Sequence, residues 1–302
     1  MLQNFQKAHI RQIINKYTPY YFLAPVIVLV LGFVVYPILN VFYYSFFNYN
    51  PAKIKSNGFV GFNNYIKLFT EDEVFVDSLL VSLKWVVIVV ALQLVLGLIM
   101  SLLLNISFKG RGLIRATIFA PWALSGVMIA ILWFLILNQN IGVLNDLLLR
   151  IGLISEPIAW LANPSTAFGA VVIAELWGGV PFFAITILAQ LQSIPNETYE
   201  ACSIDGGNSI QKFRFIIIPH LKDTIVLNSL LRAVWEINAV DIILNLTGGG
   251  PMSLTSTLSI YLTNQAIKTR NFGYGSAIGV VSFIIMLLFS LVYLKLNKYG
   301  EE

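Results

Sequence analysis

Six long apolar runs, at about residues 20–47, 78–105, 113–137, 166–191, 223–246 and 272–294, leave this chain little choice of solvent. A helix crossing a bilayer needs roughly 20 mostly apolar residues, and only helices or closed barrels satisfy every backbone polar group there. Each run is long enough, and several are long enough to tilt. Composition agrees: 57% of the 302 residues are hydrophobic and 11% are charged, whereas roughly a quarter are charged in a soluble domain. The expectation is an all-α, polytopic membrane protein of six transmembrane helices, a single transmembrane domain over residues 1–302. The first run follows a basic stretch (Lys7, Arg11, Lys16). It is too long for a signal peptide and no small-residue cleavage site follows it, so it reads as a retained anchor. The one cysteine, Cys202, forms no internal disulfide and no ligand cluster, and a formal charge of +4 shows no stripe suited to nucleic acid.

The basic residues set the expected orientation. With the N-terminus inside, eleven Lys and Arg fall on inner segments: Lys7, Arg11, Lys16, Lys109, Arg111, Arg115, Lys212, Arg214, Lys222, Lys295 and Lys298. Six fall on outer ones: Lys53, Lys55, Lys67, Arg150, Lys268 and Arg270. Positive residues stay inside, so both termini are expected in the cytoplasm, on a multi-pass protein of the cell (cytoplasmic or inner) membrane. The longest polar interval, Asn48 to Asp77, reads as a short outer cap. In it, turn chemistry at Gly58–Phe62 precedes a short interfacial helix from Asn63. The Leu-rich stretch Ile141–Leu153 is too short to span and reads as interfacial.

The connection over 193–219 is the most informative. Pro195 suits the first turn of a helix, and Gly206–Gly207, after Asp205, can supply the positive φ that ends it. Asn208 or Ser209 can cap a second helix, and Pro219 is expected to interrupt its run into span five. Two short helices should therefore meet at a sharp glycine bend. Small side chains there (Ala201, Cys202, Ser203) would let another protein approach closely.

Glu200-Ala201-Cys202, Asp205-Gly206, Phe213 and Ile216-x-Ile218-Pro219 resemble the cytoplasmic loop of binding-protein-dependent ABC importer permeases. The sequence departs from that pattern at Cys202 and Gly207, where the family usually has alanine. Pro121-Trp122 and Trp177-Gly-Gly-Val-Pro181-Phe-Phe183 are similar to further elements of that family, and Trp235-x-x-Asn238-x-x-Asp241 with Thr247-Gly-Gly-Gly-Pro251 to the fifth span of its carbohydrate (maltose or glycerol-phosphate) branch. The last of these looks like the maltose-F or glycerol-phosphate-A type of subunit. The resemblance implies a type I ABC importer permease fold. It makes Glu200, Ala201, Asp205, Gly206 and Pro219 the residues that couple to an ATPase. The implied assembly holds this chain, a second homologous permease, two ATPase subunits and an extracellular solute-binding protein. This chain would carry no cofactor, since ATP and Mg would be bound by the ATPase subunits. A sugar would cross by alternating access near the bilayer midplane; a glycerol-phosphate or polyol solute is the alternative.

Ionisable groups inside the runs carry the rest, because a charge at mid-bilayer is costly unless paired or wet. Lys84 lies near a span end and can snorkel. Arg232 and Glu236, four apart on one helical face, can pair with each other or serve a solute. Glu175, Asn238 and Asp241 have no local partner in sequence and are expected to face a polar cavity. Trp85 and Trp122 fit an aromatic belt, whereas Trp177 and Trp235 sit deeper beside polar residues, where a ring can stack on a sugar or fill space. The expected solute site is thus Trp235, Asn238 and Asp241 on one stripe of span five, with Glu175 or Trp177 from span four. Gly248–Gly250 and Pro251 stop a helix, and they also suit a docking face for a delivering protein.

Two other classes fit less well. A secondary transporter would show internal repeats or paired half-helices, and an intramembrane enzyme would need more than His9 and His220. Neither explains the glycine bend. The sequence contains no Gly-x-x-x-x-Gly-Lys-Ser/Thr motif to cradle ATP, so energy must come from separate chains.

Overall fold

The computed structural model describes residues 18, 20–53 and 57–297. Lys7, His9, Arg11, Lys16, Lys55 and Lys298 lie outside these residues. Two compact units are formed, Met1–Ile66 with Gln265–Val280, and Lys67–Asn264 with Val281–Glu302.

The first unit opens with α1 (Tyr20–Tyr44), whose apolar side chains are exposed along its length. A π turn at Leu31–Val35 directly precedes Tyr36-Pro37. Proline has no N–H for the carbonyl four residues back, and a widened turn gives its ring room. The chain then reverses through a two-residue antiparallel ladder, β1 (Phe47–Asn48) with β2 (Gly58–Phe59). Ser45 ties this corner together: its hydroxyl donates to the Phe42 carbonyl at 2.6 Å and lies 2.7 Å from the Tyr65 hydroxyl. The Asn64 amide donates to the Ser45 and Phe47 carbonyls. The short interfacial helix expected from Asn63 is α2 (Asn63–Thr70).

The second unit is built on α3 (Glu73–Asn105), capped by the Asp72 carboxylate, which accepts from the Phe75 amide at 3.0 Å. Then come α4 (Arg111–Phe119) with a 3-10 turn (Ala120–Ala123), α5 (Gly126–Ile136), α6 (Val143–Arg150) and α7 (Ala167–Leu191). The Leu-rich connection is α6, anchored by buried Asn145 through the Gln139 and Ile158 carbonyls and the Trp160 indole. Next are α8 (Asn196–Ile204), α9 (Ser209–Lys212), a π turn (Phe213–Ile217) and α10 (Ile218–Ile237). The chain closes with α11 (Asp241–Leu246), α12 (Leu258–Thr263) and α13 (Phe272–Leu296), the last contributing to both units.

Helices α1, α3, α7 and α13 are long and apolar enough to cross a membrane, and the α4–α5 pair makes a fifth if taken as one span. Two of the expected continuities fail. Run three bends by 102° between α4 and α5, because Pro121 ends one helix and Ser125 caps the next, accepting from the Met128 amide at 3.3 Å. Run five stops at Ile237 and restarts at Asp241. Its released ends are satisfied locally, since Ser259 donates to the Ile237 carbonyl and the Asn238 amide to the Val234 carbonyl. Conversely, Pro219 does not interrupt the helix entering run five. The π turn ahead of it absorbs the missing donor, as it does ahead of Pro37, and α9 runs unbroken into α10.

Close packing of α3 on α7 forms the centre of this unit. Trp85, Val86 and Val89 of α3 meet Val171 and Ala174 of α7, Ala233 of α10 and Ile243 of α11 in one buried cluster. Phe183, Ile187 and Leu191 make a second with Leu221. Gly97 lets the two long helices touch, for a Cβ there would collide with the Phe183 Cβ and lie 3.1 Å from the Ala184 nitrogen. Gly97→Val should therefore cost about 1–3 kcal/mol by overpacking, read as a lower melting temperature of the purified protein in detergent. An unchanged melting point would mean that the helices have slack.

Candidate functional site: a polar cavity and a glycine bend

The buried polar residues of α3, α7 and α10 converge on one guanidinium. Arg232 Nε donates to Gln93 Oε1 at 2.8 Å, its Nη2 pairs with Glu236 Oε1, and the same nitrogen reaches Glu175 Oε1 at 3.3 Å. Glu236 is only 1% exposed. It also accepts from Gln93 Nε2 and from the Trp85 indole, both at 3.1 Å. Gly179 makes room for this cluster, since a Cβ there would strike Gln93 and Arg232. The i, i+4 pairing of Arg232 with Glu236 is present. Glu175, which has no partner nearby in sequence, meets Arg232 from 57 residues away. One sequence expectation is corrected. Trp85 is buried and hydrogen-bonded rather than in an aromatic belt. Gln93 was not anticipated, although a lone amide in the middle of an apolar run is a signal that sequence offers.

Beside this cluster lies a cavity of about 370 Å³ whose walls include Glu175, Arg232, Trp235, Asn238 and Asp241. Four of the five expected solute-site residues therefore share one cavity. Trp177 does not: it lines a separate apolar groove of about 440 Å³ with Trp133 and Pro121. Its ring stands edge-on to Trp133 at 6.4 Å. Residues 175 and 178 share a face of α7 that turns position 177 aside. Trp235, Asn238 and Asp241 do not form the expected stripe on one helix. Asn238 caps the end of α10 and Asp241 starts α11, and the break itself turns all three to the cavity. Trp122, expected in an aromatic belt, also lines it and is 52% exposed. The Trp235 ring, 47% exposed, packs edge-on to Phe182 at 5.2 Å and lies 5.6 Å from the Arg232 guanidinium carbon. Aromatic faces beside carboxylate and amide groups can hold a molecule with apolar C–H faces and a rim of hydroxyls.

The connection over 193–219 forms two helices around a sharp bend. Pro195 caps α8 from just outside its first turn. Gly206 takes φ +79°, and the amides of Gly206 and Gly207 return to the Ser203 and Cys202 carbonyls at 3.1 and 2.8 Å. That is the Schellman pattern, which the left-handed glycine makes possible. Asn208 and Gln211 then form a reciprocal capping box for α9, and Lys212 Nζ donates to Ser203 Oγ across the bend at 2.6 Å. The two departures from the family pattern touch each other. A Cβ at Gly207 would collide with the Cys202 sulfur, so the larger side chain sits where its neighbour has none. Glu200, Ala201, Asp205, Gly206 and Pro219 are all exposed, as are Ile204 and Ile210. The bend thus presents a bare surface with apolar side chains at its tip.

The model of the family "binding-protein-dependent transport system inner membrane component" matches residues 93–299. The chain belongs to this family. Among its relatives, the trehalose/maltose transport system permease protein MalF of Thermococcus litoralis is 35% identical over 283 residues, covering 94% of each chain. The sulfoquinovosyl glycerol transport system permease protein SmoG of Agrobacterium fabrum is 35% identical over 280 residues, covering 91% of this chain and 89% of that one. In fold, the chain matches a bacterial ABC transporter involved in the import of the acidic polysaccharide alginate, with a TM-score of 0.84 and 21% identity. That match covers 97% of this chain and 100% of the other. The protein is therefore a transport-system permease with the ABC importer permease fold.

Removing Glu236 from the buried cluster should be the most damaging single change to it. Glu236→Ala strips Arg232 of its ion-pair partner on the same helix and should cost about 3 kcal/mol or more. Trp85→Phe removes one donor and should cost about 1–3 kcal/mol. Melting temperatures in detergent should fall in that order, and equal losses would show that the guanidinium does not depend on Glu236.

Proposed function

We propose that this permease is one subunit of an ATP-driven, binding-protein-dependent sugar importer, and that its solute passes through the cavity lined by Glu175, Trp235, Asn238 and Asp241. The observation that carries the reading is the cavity's chemistry, an exposed indole with an amide and a carboxylate inside a helical membrane domain. Relatives named for trehalose, maltose and sulfoquinovosyl glycerol support a sugar-like solute. Trp177 is set aside as a solute contact, since its groove is separate and apolar.

In this reading a second, homologous permease faces the cavity, and an extracellular binding protein delivers the sugar. Two ATPase subunits bind ATP and Mg and perform the hydrolysis; this chain is not catalytic. They dock on the bend of α8 and α9, where Glu200, Ala201, Asp205 and Gly206 are exposed. Pro219 acts at a distance, by setting the π turn that joins the bend to α10. Both termini lie in the cytoplasm, and residues 1–302 act as one transmembrane domain.

Three measurements bear on this. Gly206→Val should abolish most of the ATPase stimulation by loaded binding protein in reconstituted complexes, because a β-branched residue resists φ +79°. Stimulation at the wild-type level would sink the coupling assignment. Asn238→Ala should depress uptake about tenfold, the loss of one or two hydrogen bonds, while sparing assembly and basal hydrolysis. If it instead dissociates the two permeases, the residue belongs to their interface. A cysteine placed near Lys298 in a Cys202-free background should label only from the cytoplasmic side; labelling from outside would reverse the topology.

A further inference from the structure

Resting on the sugar reading of the same cavity, we infer that Asp241 determines specificity by charge: it admits uncharged, hydroxyl-rich solutes and rejects those carrying an anionic group. Among the described residues the Asp241 carboxylate has no ion pair and no side-chain hydrogen bond. The single cation in the cavity wall is Arg232, already shared by Glu175, Glu236 and Gln93. Among the described residues of the cavity wall, an incoming anion finds no uncommitted side-chain cation and meets an open carboxylate. A neutral sugar finds two acceptor oxygens for vicinal hydroxyls, the Asn238 side chain beside them and the Trp235 ring for its C–H face.

The position of the carboxylate is built into the fold. Asp241 lies against the first residue of α5, so close that a Cβ on Gly126 would come within 2.8 Å of the Asp241 Cβ and 3.2 Å of Oδ2. That end of the 11-residue α5 carries the positive pole of the helix, which complements a negative charge. The 102° bend between α4 and α5 is what aims this helix end at the cavity wall. Asp241 is thus held at the wall by the bend, the missing side chain at Gly126 and the break after α10. Like charges brought together in a binding site are an element of discrimination against the wrong solute. Neither the fold nor the family imposes this choice: a transporter of the same fold serves the import of an acidic polysaccharide, and the relative SmoG is named for sulfoquinovosyl glycerol, whose sulfonate is anionic.

The test uses the complete transporter in nanodiscs without binding protein, so that solute selection upstream plays no part. Saturation-transfer NMR would measure the affinity for two neutral probes, trehalose and maltose, and for the anionic counterpart trehalose 6-phosphate. In the wild type trehalose 6-phosphate should bind at least about tenfold more weakly than trehalose, as expected for two like charges several ångströms apart at an intermediate dielectric. Asp241→Asn should close most of that gap, and Asp241→Glu should keep it. Equal binding of both trehalose forms by the wild type would overturn the inference while leaving the sugar reading in place. A gap that persists in Asp241→Asn would also overturn it, since the filter would then lie elsewhere. If no probe binds at all, the sugar reading fails and this inference falls with it.

Discussion

A guanidinium cannot lie among apolar helices without acceptors, and Arg232 is held by groups from three of them: Gln93 on α3, Glu175 on α7 and Glu236 on its own α10. In a low-dielectric interior such a network is either well satisfied or very costly. Its members also sit where backbones must come closest. Gly179 has no side chain because Gln93 and Arg232 occupy that space, and Gly97 brings α3 against α7 further along. The bundle is therefore pinned in register by a polar knot as well as by its two apolar clusters. The cavity lies directly beside this knot, sharing Glu175 and Arg232 with it. The same residues thus fix the wall and present part of its charge.

Local signals were legible in the sequence to the extent that they were local. The glycine bend, the cap at Asn208 and the pairing of Arg232 with Glu236 follow from neighbours within a few positions, and each appears. Apolar runs were equally plain, because bilayer thickness dictates their length. Backbone direction was not, since hydropathy has no term for it. Run three reads as one uninterrupted span, yet Pro121 and Ser125 turn it through 102°. Pro219 misled in the other direction, because a single widened turn can absorb a proline that sequence rules treat as a stop.

The cavity shows the same division. Four of its residues could be picked out as polar or aromatic groups with no reason to face lipid, and they share a wall. How they do so lay beyond reach. A helical stripe was the simplest geometry for positions 235, 238 and 241, whereas a break after Ile237 turns them together instead. Partners across helices, such as Gln93 for Arg232 at a separation of 139 residues, leave no trace in local spacing. Trp177 was misjudged because its polar neighbour Glu175 lies on a different face of α7.

One consequence follows from the unbroken run of α9, the π turn and α10, from Ser209 to Ile237. At 1.5 Å per residue it is a rod of about 43 Å. The bend at Gly206 stands at one end and the cavity break at Asn238 at the other. A continuous helix is stiff along its axis, so displacement at one end is delivered to the other rather than absorbed between them. Tilted about its middle by about 5°, a rod of that length moves each tip roughly 2 Å in opposite senses. That is comparable to the difference between a made and a broken hydrogen bond. The molecule thus contains a mechanical lever arm, with a hinge of glycine at the handle and Trp235 and Asn238 at the working tip.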